Sequence, residues 1–392
     1  GAEILNHKVF LSVGHDEYWS EEMRTAVENA STAGVHLAFF SGNEIYWKTR
    51  YENSADGSNT ADRTLVCYKE GTLGENPCGN KCDPTNIWTG LWRAADGAGY
   101  GGNRPENALS GQLSWDGTTG SIQVPSAYKN LRFWRNTSIA SMGIEDVKTF
   151  PYGTLGYEWN YEQPQYAPFN PPGRIRLSNT TLNGKVHKLS MYRHSSGALV
   201  FGAGTVQWSW GLDSDHDNGS AAPDQDMQQA TVNLFADMGV QPATLMGTLT
   251  AASQSTDNQA PVSIITTPLQ GATIPANEPV TIAGTASDNA QVASIEISVD
   301  GGTTWTVVSG GNTNWQYTWT PVVQGAIVIK VRGVDDSGNI EAAGTPPAAN
   351  AINVTVGPPA PPTCPCTMFQ TSDAPATTNL NDNNGGIELG MK

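Results

Sequence analysis

Positive charge is scarce in this sequence: 21 Lys and Arg stand against 37 Asp and Glu in 392 residues, a net charge of −16. A nucleic-acid-binding surface needs a basic stripe to displace counterions, and no run of Lys or Arg occurs, which argues against sequence-independent nucleic-acid binding and against docking on an anionic membrane. Charged residues make up only 15% of the chain, below the usual quarter, so the acidity reflects missing lysine and arginine rather than acidic tracts. No stretch approaches the roughly 20 apolar residues of a membrane span. The opening GAEILNHKVF lacks a basic segment followed by an apolar core, so it is not a signal peptide. It runs almost directly into a strand pattern, and the end, GIELGMK, stops in mid-pattern, so a fragment of a longer protein is expected. Cysteine is sparse too: Cys67, Cys78 and Cys82 form one group, Cys364 and Cys366 another. No His or second CxxC accompanies Cys78 and Cys82, so a local Cys78–Cys82 disulfide is expected rather than a zinc site. No Gly-x-Ser-x-Gly or Gly-x-Cys-x-Gly elbow follows a strand, which removes a serine hydrolase and a cysteine-dependent amidotransferase. Nor does a nucleotide fingerprint or phosphate loop follow the first strand.

Gly 42 and Pro 24 are plentiful, about a sixth of the chain, and imply many turns; twelve Trp and 38% hydrophobic residues supply core material. Residues 8–14, KVFLSVG, are a continuous apolar run that reads as a strand buried on both faces. Ser20, Glu21 and Glu22 then read as a helix start, Met23, Ala26, Val27 and Ala30 follow at helical spacing, and Gly34 is a stop. Residues 35–41, VHLAFFS, form a second buried run, so strand, helix and strand predict a βαβ unit with parallel strands. A later strand at 198–202 and a helix over 224–239 flank a long insert, roughly 53–190, of irregular loops and short strands. The fold expected for 1–247 is therefore an α/β domain with a flavodoxin- or glutamine-amidotransferase-like parallel sheet and a long irregular insert. Residues 248–260 read as a linker, and 261–357, with six or seven short alternating strands, as an all-β immunoglobulin-like sandwich. A proline-rich linker and a truncated C-terminal module occupy 358–392.

Ligands of open α/β sheets bind beyond the carboxyl ends of the strands. The two loops there carry His15, Asp16, Glu17 and Tyr18, and Asn43, Glu44 and Tyr46. Two tyrosines beside carboxylates offer hard oxygen donors for a trivalent metal, which would itself have to drive phenol ionisation. The same residues also read as helix caps, solvated charges and core aromatics. Asp213, Asp215 and Asp217, with Asp224 eleven positions beyond Asp213, resemble the first positions of a calcium loop. Asn218 stands where Gly is usual and no closing Glu follows, so an acidic surface loop is the competing reading. Trp305, Trp315 and Trp319 could stack on sugar or fill the sandwich core.

The runs SVGHDEYWS, LAFFSGNEIYWKTRYE, RTLVCYKE, TGLWR, PENALSGQ, LGYEWN and VFGAGTVQWSWGLD, in this order over residues 8–245, resemble the large subunit of N,N-dimethylformamidase and its relatives. The resemblance implies an amidohydrolase with a mononuclear iron held by two tyrosines and a glutamate. Matched motif by motif, these fall on Tyr18 of HDEYW, Tyr46 of NEIYW and Glu158 of GYE, with Glu162 as rival for the last. The implied chemistry is Lewis-acid hydrolysis, with Glu17 or His15 as general base and Asn43 donating to the oxyanion. The attached sandwich, and a tail resembling the start of a secreted bacterial module, point to an extracellular or cell-surface relative acting on a small amide. The alternative is a non-catalytic surface protein with a relic enzyme domain, whose sandwich contacts a partner or surface glycan. A glycosidase using Asp16 or Glu17 is a third reading.

Overall fold

A computed structural model describes residues 1–71, 81–216, 221–308 and 312–359. Five strands build the central sheet of the first domain: β1 (Val9–His15), β2 (His36–Gly42), β3 (Ile175–Arg176), β4 (Ser190–Arg193) and β5 (Leu199–Gly202), in the spatial order β1-β2-β5-β4-β3. β1 and β2 pair in parallel, from Val9 opposite His36 to His15 opposite Gly42, and β5 joins β2 in parallel. β4 pairs antiparallel with both β5 and β3.

Helix α1 (Glu21–Thr32) crosses between β1 and β2 for reasons that are local. The Ser20 hydroxyl accepts from Met23 N at 3.3 Å, Glu21 and Glu22 lie in the first turn, and Gly34 follows the end at φ 96°. Helix α2 (Gln225–Asp237) is capped by Asp224, which accepts from the amides of Asp226 and Met227. Alternation along β2 divides the core. Leu37 and Phe39 pack with Val27, Trp19 and Trp92 on one face, whereas Ala38 and Phe40 pack with Phe201, Trp208 and α2 residues Met227 and Leu234 on the other.

A flavodoxin-like parallel sheet is not what these residues build. Of the described residues, 31% lie in strands, spread over several small sheets, and 17% in helices. A doubly wound sheet needs a helical crossover after each strand, but β4 turns back into β5 as a hairpin and runs against the other four strands, so that two of the four pairings are antiparallel. β1 lies at the sheet edge with Leu11 and Val13 exposed, so its apolar run is not buried on both faces. The insert supplies much of the core instead: Trp88, Trp92, Trp134 and Trp159 are each buried. No helix among the described residues is long and apolar enough to cross a membrane.

The second domain is a sandwich. Val262–Thr267, Val280–Ser287 and Asn314–Trp319 form one sheet; Thr273–Pro275, Ala351–Gly357, Gly325–Asp335, Val292–Ser298 and Thr306–Val307 form the other. Trp315 is inside its core, with Trp319 packed against it, while Trp305 lies beneath the Arg332 guanidinium at 4.0 Å. The sandwich is bonded to the first domain: Gly173 N donates to Glu296 Oε1 at 3.1 Å, Arg132 N to Asp336 Oδ2 at 2.7 Å, and Arg193 Nε to the Ser337 carbonyl at 2.9 Å.

Candidate functional site

The register that sets His15 opposite Gly42 delivers the two polar loops to one edge of the sheet. They are laced together there: Ile45 N donates to the Asp16 carbonyl at 2.8 Å, and the amides of Tyr46 and Trp47 donate to the Glu17 carbonyl at 2.9 and 2.8 Å. Asn43 and Ile45 are left-handed, at φ 52° and 54°. A β-branched residue there is under steric strain and persists only where the surroundings over-determine it.

A third segment arrives from far along the chain. Val206 N donates to the Glu158 carbonyl at 3.2 Å and Asn43 N to Asn160 Oδ1 at 3.0 Å. Glu158 thereby faces His15, with Oε2 at 3.5 Å from His15 Nε2, and the Tyr157 hydroxyl stands 3.0 Å from the same nitrogen. Glu158 Oε2 is buried and accepts no hydrogen bond, while His15 is exposed. Burial, and then the neighbouring Glu158 carboxylate, push the Glu17 carboxyl above its ordinary range. The structure thus brings His15, Glu17 and Glu158 together.

The two tyrosines stand on different cations. The half-buried Tyr18 ring lies under the Lys69 ammonium at 5.6 Å, and the hydrogen bond to Tyr18 is the main cause of the raised Lys69 pKa. The Tyr46 ring lies under the Arg93 guanidinium at 4.7 Å, in a buried pocket where Arg93 Nη1 is 2.5 Å from Glu106 Oε1. Burial raises the Tyr46 hydroxyl pKa against the opposing pull of Arg93. Glu162, the rival for the glutamate position, is bound by Arg174 and Arg176. Asp16 is tied to its own turn by Ser12 and by Trp19 Nε1 at 2.5 Å; burial pushes it up to about 6. Asn43 is buried, and its Oδ1 has no partner.

A hard trivalent cation takes oxygen donors. Glu158 Oε2, left without a hydrogen bond, together with the Glu17 carboxylate and the Tyr18 phenol, supplies such a set on one side. On the other, burial holds the Tyr46 phenol protonated against the pull of the Arg93 guanidinium, so a metal bound there would itself have to drive ionisation. The donor chemistry therefore fits iron.

Three charged residues shape the loop from beneath, and two of them, Arg93 and Glu106, are not singled out by spacing. Arg93 and Glu106 sit inside the runs TGLWR and PENALSGQ, and no periodicity marks them. Glu44 is 1% exposed, and neither carboxylate oxygen accepts a hydrogen bond of normal geometry, although Ser110 stands beside them. Burial pushes Glu44 up to about 8.

Asp213 and Asp215 lie in an exposed turn where Asp215 N donates to Asp213 Oδ1 at 2.8 Å; Asp217 lies outside the described residues. Asp224 serves α2 and pairs with Lys148 at 3.0 Å. Among the described residues, Asp257, Asp288 and Asp335 bring carboxylate oxygens within 4.8 Å of one another. The Cys78–Cys82 pairing falls on residue 78, outside the described residues, whereas Cys67 is a free thiol.

Residues 1–221 match the family described as N,N-dimethylformamidase beta subunit-like, C-terminal, and the chain belongs to that family. Residues 261–346 match the bacterial Ig domain. No curated protein matches. Among solved structures, the chain is similar to fibronectin(III)-like modules of Clostridium thermocellum CbhA, at 21% identity over 24% of this chain and 94% of that one, with a TM-score of 0.20. It is also similar to a Cellulomonas fimi endo-beta-1,4-mannanase double mutant, at 17% identity over 36% of this chain and 29% of that one, with a TM-score of 0.15.

Proposed function

We propose that the first domain is an iron-dependent hydrolase of a C–N amide bond in a small substrate, carried by a secreted or cell-surface protein. The observation that supports this is the meeting of Glu158 with His15 and Glu17, more than 140 residues away in sequence, at the edge that also carries Tyr18 and Tyr46. Tyr18, Tyr46 and Glu158 would hold the metal. Iron bound there would supply Lewis-acid activation of an amide carbonyl and of a water. Glu17, its carboxyl raised by burial and by Glu158, is suited to take a proton at its Oε atoms and return it. His15 Nε2, shared between the Tyr157 hydroxyl and Glu158, orients that exchange from the solvent side. Asn43, buried behind Gly42, would support the loop from beneath and offer its side-chain amide to a developing oxyanion.

The test is metal analysis of the purified chain with its visible spectrum. Near-stoichiometric iron and a phenolate-to-iron charge-transfer band are expected, with the band lost in Tyr18→Phe and the iron lost in Glu158→Gln. A colourless protein that takes up no iron on reconstitution would overturn the reading. It would favour the second one, a surface-binding protein with a relic site, which draws on Tyr18 and Tyr46 standing on separate cations.

A further inference from the structure

In a chain with a net charge of −16, one cleft gathers cations. It encloses about 340 Å³ and is lined by Arg174, Arg176 and Lys188 around Glu162, with Thr306 of the sandwich closing one side. None of its lining residues belongs to the His15, Glu17, Tyr18 and Glu158 group. Arg174 is 4% exposed; its Nη1 donates to Glu162 Oε1 at 2.9 Å, and its Nε has no partner. Arg176 donates from Nε and Nη2 to Glu162 at 2.9 and 3.0 Å. Lys188, also buried, donates to Asn179 Oδ1 at 2.8 Å.

Buried charge is stable only when it is paired. Glu162 neutralises one of the three cations, and their field holds its carboxyl down at about 2 despite burial. Two of the three cations remain without a carboxylate of their own among the described residues, and burial pushes the Lys188 ammonium down to about 8, while the buried Arg174 Nε has a proton to donate and no partner to receive it. A planar guanidinium edge and an ammonium suit a carboxylate. The other walls carry an apolar part, formed by Leu113, Pro164, Ala167 and Val186, beside the side-chain amides of Asn107, Gln112, Gln163 and Asn170. A bare inorganic anion would leave those walls dry and unfilled, whereas an organic acid covers them. The volume is that of a small-molecule site, and such sites favour domain junctions.

We propose that this cleft binds a small organic carboxylate, its charged group on Arg174 Nε, Arg176 and Lys188 and its apolar body against Leu113, Pro164, Ala167 and Val186. The site is independent of the iron reading.

Isothermal titration of the full chain with benzoate, with neutral benzamide and with inorganic phosphate tests it. Saturable benzoate binding is expected, with benzamide weaker by about tenfold or more, the worth of a charge-assisted hydrogen bond. Lys188→Met and Arg176→Gln should each weaken benzoate by a similar factor without a matching change for benzamide. Absence of saturable benzoate binding, equal binding of benzamide, binding of phosphate alone, or unchanged benzoate affinity in both folded variants would each overturn the proposal. If either variant fails to fold, the three-ligand comparison on the wild-type chain decides.

Discussion

Gly42→Ala is expected to destabilise the first domain by about 3 kcal/mol or more, although it adds one methyl group. A Cβ on Gly42 would stand 2.3 Å from the Glu158 carbonyl oxygen, 2.9 Å from Val206 N and 3.0 Å from the Thr205 carbonyl carbon. All three are backbone atoms, so no side chain can rotate away. The same backbone is pinned, because Thr205 N donates to the Ser41 carbonyl at 2.9 Å and Val206 N to the Glu158 carbonyl at 3.2 Å. Relief therefore requires the 158 segment to leave the end of β2, which parts Glu158 from His15. Gly247, whose Cβ would meet nothing within 4 Å, provides the control. Urea unfolding of both alanine variants checks this: wild-type stability in Gly42→Ala would refute the contact.

The β1–α1–β2 unit was legible because its determinants are local. Ser20 and two glutamates open the helix, Gly34 closes it, and two apolar runs flank it. The site edge followed from that unit, since parallel pairing sends residues 15–18 and 43–46 to one end whatever the rest of the chain does. The sheet beyond β2 was not legible. Whether a later strand enters parallel or antiparallel depends on the connection before it, and here β4 and β5 form a hairpin, while the region expected as irregular loops and short strands carries buried tryptophans that join the two helices in covering the sheet.

The same limit applied to the site. Glu158 reaches His15 through the close packing of the 158 segment on Gly42 and its bonds to Val206 and Asn43, which no spacing rule records. The pair of tyrosines was legible as two phenols near one edge, but the cation over each ring, Lys69 or Arg93, arises from long-range packing. Glu44 read as one more polar loop residue, because nothing in its neighbours signals full burial.

That burial has a pH signature. In the unfolded chain a glutamate titrates near 4.3, while the folded-state Glu44 carboxyl is pushed up to about 8 by desolvation. Folding therefore binds a proton between these values, and stability falls as pH rises through that window, reaching its low plateau above the folded pKa. At pH 8 the penalty from this one group is on the order of a few kcal/mol. Glu44→Gln keeps the shape and removes the ionisation, so the variant should be more stable than the wild type at pH 8 by that order and nearly equal to it at pH 4.5. Asp336, pushed up to about 6, slopes in the same direction in each protein and cancels in the difference, whereas the Asp16 charge is one of the causes of the Glu44 shift and belongs to the effect measured. Urea midpoints of the two proteins at the two pH values measure it, and an offset that does not change with pH would remove Glu44 as the cause. A carboxyl that weakens the fold at neutral pH, set between left-handed Asn43 and Ile45 and two residues before Tyr46, is a cost that core packing does not require. Its place is explained by the loop that it shapes: the strain at 43 and 45 and the unpaired acid between them lie under the edge where His15, Glu17 and Glu158 meet.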